Sequence, residues 1–389
     1  MVGGGDWAIA AGYFAYFGAI GIFQPFFPVH LAALGLSAFD IGLVLAVWNA
    51  LRVLSPLGIA WFADRHADRR PLLAAFACAG ALAALALVGA RSLGALALGI
   101  GCLSLCLNGL MPVYDTHTLE RLGERAHHYG RLRLWGSVGF VATSVGLGFV
   151  AARVGSTAIV WAFFGFVTLT ALAVLALPVA GTGARVRADL GEFGVALRRR
   201  PVILFLLVCF LHLAGFGGYY GFYSLYLVQQ GYGPGAVGLF WAVGVLAEIV
   251  LFAFVPRLVK RYPLTRLLGF ALAATVLRWL MVAAFPGIPA LMLGAQLLHF
   301  AGFGIFHAVT VLMGPRLMPA GTAARAQALV SSLGWGAGGT LGSLLAGGLW
   351  EKLGPRAVFV GGAVLAAAAW LVASRGLAAC FAPAPGPAD

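Results

Sequence analysis

Twelve stretches of this chain are apolar over about the 20 residues that a helix needs to cross a bilayer. They cover 7–34, 39–62, 72–90, 93–118, 134–152, 156–179, 202–229, 236–256, 264–284, 289–313, 327–350 and 356–374. A chain built this way has almost nothing left over for a soluble domain. Only 10% of its residues are charged and 62% are hydrophobic, against about 25% charged in a soluble domain. An ordinary cytosolic enzyme is therefore excluded.

The connections between spans are short, with two exceptions. Residues 119–133 form a loop rich in charge and histidine, and residues 180–201 carry five arginines. The second marks a linker between an N-terminal six-helix bundle, 1–179, and a C-terminal one, 202–389. An offset of 196 residues superimposes Gly21, Phe26, Leu31, Gly35, Gly42, Leu43, Ala46 and Val47 on Gly217, Phe222, Leu227, Gly231, Gly238, Leu239, Ala242 and Val243. The expected fold is an all-α integral membrane protein, its twelve transmembrane helices set in two pseudo-symmetric six-helix bundles. Such parallel repeats place a ligand site near the midplane between them.

The formal charge of +13 would point to nucleic acid on a soluble chain, but here it follows topology. With the N-terminus inside, 19 Lys and Arg residues fall on cytoplasmic segments and 4 outside, and Arg52 and Arg278 lie within the membrane. The positive-inside rule then puts both termini in the cytoplasm; the expected location is the inner (plasma) membrane of a bacterium. No nucleic-acid partner is expected. The first span lacks a basic n-region and is too long for a signal-peptide core. The five cysteines have no CxxC spacing, so neither a disulfide nor a metal site is expected. No nucleophile–base pair, cofactor motif or GxxxxGK[ST] loop is present; the expectation is a non-enzyme without cofactor, driven by an ion gradient or a partner. Gly146, Gly148, Gly338 and Gly342 suit close helix contacts.

An ionised side chain at mid-membrane costs on the order of 2.5–3.5 kcal/mol on insertion scales, so each one needs a reason. Glu248 shares a helix face with Trp241 and Gly244, which suits proton carriage beside a ligand. Arg278 needs an anion, and Glu248 is its nearest candidate by depth. His299 and His307 can relay protons; His212 and His30 read as structural. Arg52, one turn after Asn49, lies opposite Glu248 by the repeat offset, as a pairing cation or an anion anchor. Asp115 and Arg133 can pair across a cavity. Tyr219, Tyr223 and Tyr226 share one face, and either bind a ligand ring or form an aromatic belt. In the turn WFADRHADRR, Asp64, Arg65, Arg69 and Arg70 can latch helices in one conformational state.

The spans and the Asp-Arg-x3-Arg-Arg turn resemble the major facilitator superfamily, with Ala60 where the family has Gly and one residue inserted. YGRLRLWGSVGF, Tyr129 to Phe140, is similar to the same segment in the phenylpropionate permease group and its relative, lactose permease. The resemblance implies that Asp115 and Arg133 hold substrate, that Phe140 supplies the stacking ring, and that Glu248, Arg278 and His299 match the coupling residues. The permease's next carboxylate falls near Gly302 or Phe303, where this chain has none; Glu248 or Asp115 would then carry the proton. The implied activity is proton-coupled import of a small organic solute, an aromatic or other carboxylic acid, by a monomeric alternating-access symporter. The alternatives are sugar or nucleoside symport, and drug or siderophore efflux or uptake. The substrate-binding set is Asn49, Arg52, Asp115, Arg133, Phe140, Tyr219, Tyr223 and Trp241.

Overall fold

The computed structural model describes residues 6–63, 68–179, 190–319, 322–377 and 380. Every regular element among them is helical. The first half comprises α1 (Asp6–Ala33), α2 (Ala38–Ala63), α3 (Arg70–Gly89), α4 (Leu93–Leu122), α5 (Tyr129–Val154) and α6 (Thr157–Leu175). A short α7 (Leu190–Ala196) lies between the halves. The second half begins with α8 (Arg200–Gln229), α9 (Pro234–Arg261) and α10 (Leu264–Ala284). Its last three crossings are interrupted. α11 (Pro289–Leu297) and α12 (Phe306–Leu317) flank a π-helical segment, Phe300–Ile305. α13 (Ala323–Leu329) and α14 (Gly339–Leu353) flank another, Val330–Gly338, and α15 (Pro355–Leu371) runs into a third. Wide π turns of this kind recur at functional sites.

The segment 119–133 is not the loop that its charge suggests. α4 continues to Leu122, a 3-10 segment spans Gly123–His128, and α5 begins at Tyr129. Apolarity marks where a helix leaves hydrocarbon, not where the helix stops; on its extension Arg121 is exposed and Glu120 pairs with Arg69. Ten apolar stretches long enough to cross a membrane lie among the described residues, and one of them, Leu93–Val154, holds both α4 and α5. Large apolar side chains such as Leu82 and Leu98 stay exposed, as a lipid-facing surface requires.

The internal repeat is visible in the backbone. α1 and α8 end alike: Leu36 N–H donates to Leu31 C=O (3.3 Å), and Tyr232 N–H to Leu227 C=O (3.0 Å). The intervening Gly35 and Gly231 both have φ of +87°, the left-handed cap that glycine adopts without Cβ strain.

The halves meet through two equivalent pairs, α2 with α14 and α5 with α9. Gly42 lies against Ser343 and Gly347, and Gly238 against Ser144 and Val145. A Cβ on Gly148 would meet Pro234 O at 2.6 Å. Gly342 and Gly338 pack on α8, whereas Gly146 touches nothing within 4 Å of a would-be Cβ and serves no helix contact. Phe39 N–H donates to Glu351 at 2.9 Å. These approaches lie in the part of the bundle away from the termini, so the protein is closed on that side.

Candidate functional site

Arg278 is fully buried on α10, at 0% exposure. Its Nη1 lies 3.0 Å from Nδ1 of His299, and its Nη2 donates to Oε1 of Gln296 at 3.1 Å. Tyr219 O–H donates to the same Oε1 at 3.2 Å. The guanidinium face rests on the rings of Tyr219 and Trp279, at 4.3 and 4.5 Å. Glu248, expected beside Arg278, instead lies 3.8 Å from the other nitrogen of His299, Nε2. The imidazole thus stands between guanidinium and carboxylate. His299 itself sits where α11 gives way to the π segment, and its ring stacks on Phe303 (5.0 Å, 11°), which stacks in turn on His307 (6.1 Å, 6°). His307 is exposed although protein surrounds it, which sets it at a cavity. His212 Nε2 bonds the Gly302 carbonyl at 2.9 Å, in the structural role expected of it.

The tyrosines of α8 form no aromatic belt. Tyr219, Tyr223 and Tyr226 are buried, packed on Trp279 and Phe359. Belts need lipid contact, and this face turns into the second half. Trp241 stacks near Tyr219 at 4.5 Å and donates Nε1–H to Ser224 at 2.9 Å. Phe140 reaches Trp241 from the opposite half at 6.4 Å.

In the first half, Asp115 and Arg133 do not pair. Asp115 Oδ1 accepts from Tyr13 O–H at 2.6 Å, while the Arg133 guanidinium lies 3.9 Å over Phe17 and 5.5 Å over Tyr13. Arg133 stays in electrostatic reach of Asp115 without an ion pair, and it also reaches Glu248 and His307 across the cavity. Arg52 does not face Glu248; it lies over the indole of Trp335 at 4.9 Å. The repeat offset equates positions in sequence, and the α2–α14 contact then turns Arg52 to that ring. Asn49 donates to Leu45 O (3.0 Å) and Ser343 Oγ (3.2 Å), which ties its amide to the contact between halves.

Asp64 and Arg65 lie outside the described residues. Arg69 forms an ion pair with Glu120 on the last turn of α4, which joins the start of α3 to α4. Arg70 donates to Asp68 at 2.8 Å. The Asp68 carboxyl is held below its ordinary value by the hydrogen bonds from Arg70.

Several residues of the site escape sequence reasoning: Gln296, Phe303, Trp335, Tyr13 and Phe17. Tyr220 lies 5.7 Å from Trp335 and 6.0 Å from Trp241, and Phe303 lies 5.9 Å from Trp335. Gln296 carries a signal, since it is a polar residue one turn before His299 inside a span. Aromatics carry none in a chain with 28 phenylalanines.

The comparisons with known proteins agree with this architecture. The model of the MFS_1 like family matches residues 6–360. The probable 3-phenylpropionic acid transporter of Escherichia coli (strain K12) is 30% identical over 366 residues, covering 89% of this chain and 91% of that protein. A maltose permease of Geobacillus stearothermophilus is 27% identical over 357 residues, covering 90% and 88%. Among solved structures, that of nucleoside transporter NupG superimposes with a TM-score of 0.78 at 17% identity, over 98% of this chain and 100% of that one. The POT family transporter PepTSo gives a TM-score of 0.74 at 12% identity, over 96% and 97%.

Proposed function

Because the chain belongs to the MFS_1 like family of membrane transporters, we propose that it is a proton-coupled symporter importing a small aromatic or other carboxylic acid by alternating access. Membership makes it a multi-pass membrane transporter and not an enzyme. One observation carries the substrate and the coupling ion. Arg52 and Arg133 sit within the bundle, and neither forms an ion pair among the described residues. Each rests on an aromatic ring instead. For Arg52, which lies within the membrane, such a contact contributes about 0.5–2 kcal/mol, less than the roughly 2.5–3.5 kcal/mol of placing an arginine at mid-membrane. Stacking uses the guanidinium face and leaves its N–H edge free, the geometry that receives a carboxylate. The rings of Tyr220, Trp241, Trp335 and Phe140 beside it supply flat apolar surface for an aryl group. The name of the 3-phenylpropionic acid relative supports the same class of ligand.

In this reading Glu248 takes up the proton that offsets charge as the anion loads. The halves 1–179 and 202–389 rock about the linker 180–201 in a monomer, with both termini in the cytoplasm and the chain in the bacterial inner membrane. Asp64, Arg65 and Arg69 latch the turn after α2. A neutral ligand is the second reading: the maltose permease relative and the Tyr13–Asp115 hydrogen bond favour a sugar. Thermal stabilisation of the purified protein by a ligand panel separates them, since a ligand that binds the folded state raises its stability. 3-Phenylpropionate is expected to stabilise it, while maltose and nucleosides leave it unchanged. The reverse pattern rejects the acid reading. Uptake of the stabilising ligand into proteoliposomes, driven by an inward pH gradient, then tests the coupling.

A further inference from the structure

Arginine has only N–H donors and no acceptor. The 3.0 Å approach of Arg278 Nη1 to His299 Nδ1 therefore requires that Nδ1 accept, so the ring proton sits on Nε2. That tautomer follows from the hydrogen-bond network, as it must where hydrogens are inferred. A doubly protonated imidazole would turn its Nδ1–H onto the Arg278 N–H and add a second positive charge beside it. The Nε2–H faces Glu248 Oε2, 3.8 Å away.

What keeps Arg278 there is Gln296. Its Oε1 accepts from Arg278 Nη2 and from Tyr219 O–H, which also settles the orientation of the amide. Gln296, Arg278 and Tyr219 are all at most 1% exposed, and Tyr219 and Trp279 cover the guanidinium face. The groups facing His299 are thus Glu248 from α9, Arg278 from α10, Gln296 from α11, Phe216 and Tyr219 from α8 and Phe303 from the π segment, with His307 beyond Phe303. Arg133 acts from α5, in reach of Glu248 and His307.

We propose that Gln296 is a positioning residue: it aims the Arg278 guanidinium at His299 Nδ1, fixes the imidazole as a neutral Nε2–H donor turned to Glu248, and leaves Glu248 as the group of this cluster that gains and loses the proton. The role in proton movement rests on the proton-coupled reading above; the tautomer rests on geometry alone.

The test has two arms. In the full-length protein with 15N-labelled histidine, the His299 resonances, assigned by difference with His299→Asn, are expected to report the Nε2–H tautomer from pH 5 to 8, with no second protonation. An Nδ1–H tautomer, or an imidazolium appearing in that range, overturns the proposal whether or not the chain couples to protons. In Gln296→Leu, and in the milder Gln296→Asn, the guanidinium is no longer aimed at Nδ1, so the His299 spectrum is expected to show a mixture of Nε2–H and Nδ1–H tautomers and the pH profile of substrate exchange to change shape. If the Leu variant does not fold, the Asn variant and the wild-type spectrum decide. Folded variants with the wild-type His299 spectrum and pH profile reject the role of Gln296. Absence of any gradient-driven uptake in the wild type rejects the coupling reading only.

Discussion

The Arg52 guanidinium lies 4.9 Å over the indole ring of Trp335, so a cation of the first half rests on a ring of the second. Neither residue shares a helix, a half or a sequence neighbourhood with the other. Their contact sets a positive charge beside a flat aromatic surface.

Trp335→Ala removes the ring while keeping the charge. It is expected to raise the KM for 3-phenylpropionate about tenfold, from the loss of ~1–2 kcal/mol of cation–π and ring contact, and to leave an aliphatic acid of similar length within about twofold. Arg52→Gln is expected to weaken both acids equally. Uptake kinetics with the two substrates check this; an equal loss for both in Trp335→Ala would remove the tryptophan from the ring site.

Glu248→Gln keeps the shape of the side chain and cannot cycle a proton. Accumulation driven by an imposed pH gradient is expected to vanish, while exchange of internal for external substrate continues. Proteoliposomes report both. Gradient-driven uptake that survives in the variant would assign the proton to another group, Asp115 being the next candidate.

Gly148 and Gly238 let α5 and α9 touch. A valine at Gly148 would drive its side chain into the Pro234 carbonyl. Overpacking of this kind costs about 1–3 kcal/mol, roughly 5- to 150-fold in the balance of two states. The expected outcome is a transporter biased open on the side away from its termini. A cysteine at Ser144, buried beside this contact, should then be alkylated faster in Gly148→Val than with Gly148 intact.

Asp68 offers a pH test outside the membrane spans. Its carboxyl is held low by hydrogen bonds from Arg70, so the folded state favours the ionised form. The contribution is therefore present above the ordinary carboxyl value of about 3.9 and is lost as pH falls through the lower folded value. As a pair at the surface its effect is small. Asp68→Asn is expected to have a slightly lower thermal midpoint at pH 7, with a deficit that shrinks as pH falls below the ordinary carboxyl value of about 3.9; a deficit that stays constant on acidification would contradict the link.

How much was legible beforehand differs from residue to residue. Glu248, Arg278 and His299 stood out because charge and imidazole are rare in apolar spans, and depth along a span follows from counting residues. The structure brings these three together. Asp115 and Arg133 stand out by the same rarity of charge, yet Tyr13 takes the carboxylate and Phe17 the guanidinium. Helical periodicity says which side chains share a face, not which helix stands opposite. Tyr219, Tyr223 and Tyr226 show the same limit: their common face was evident, and only packing turned it inward, onto Trp279 and Phe359, instead of toward lipid.

The sequence by itself determined the apolar character of the spans, the repeat and where along a span each charge falls, because these depend on local apolarity and on 1.5 Å of rise per residue. The partner of each charge was decided by tertiary structure. Gln296 reaches Arg278, and Arg52 reaches Trp335, only once separate helices are set side by side; no spacing along one chain encodes that azimuth.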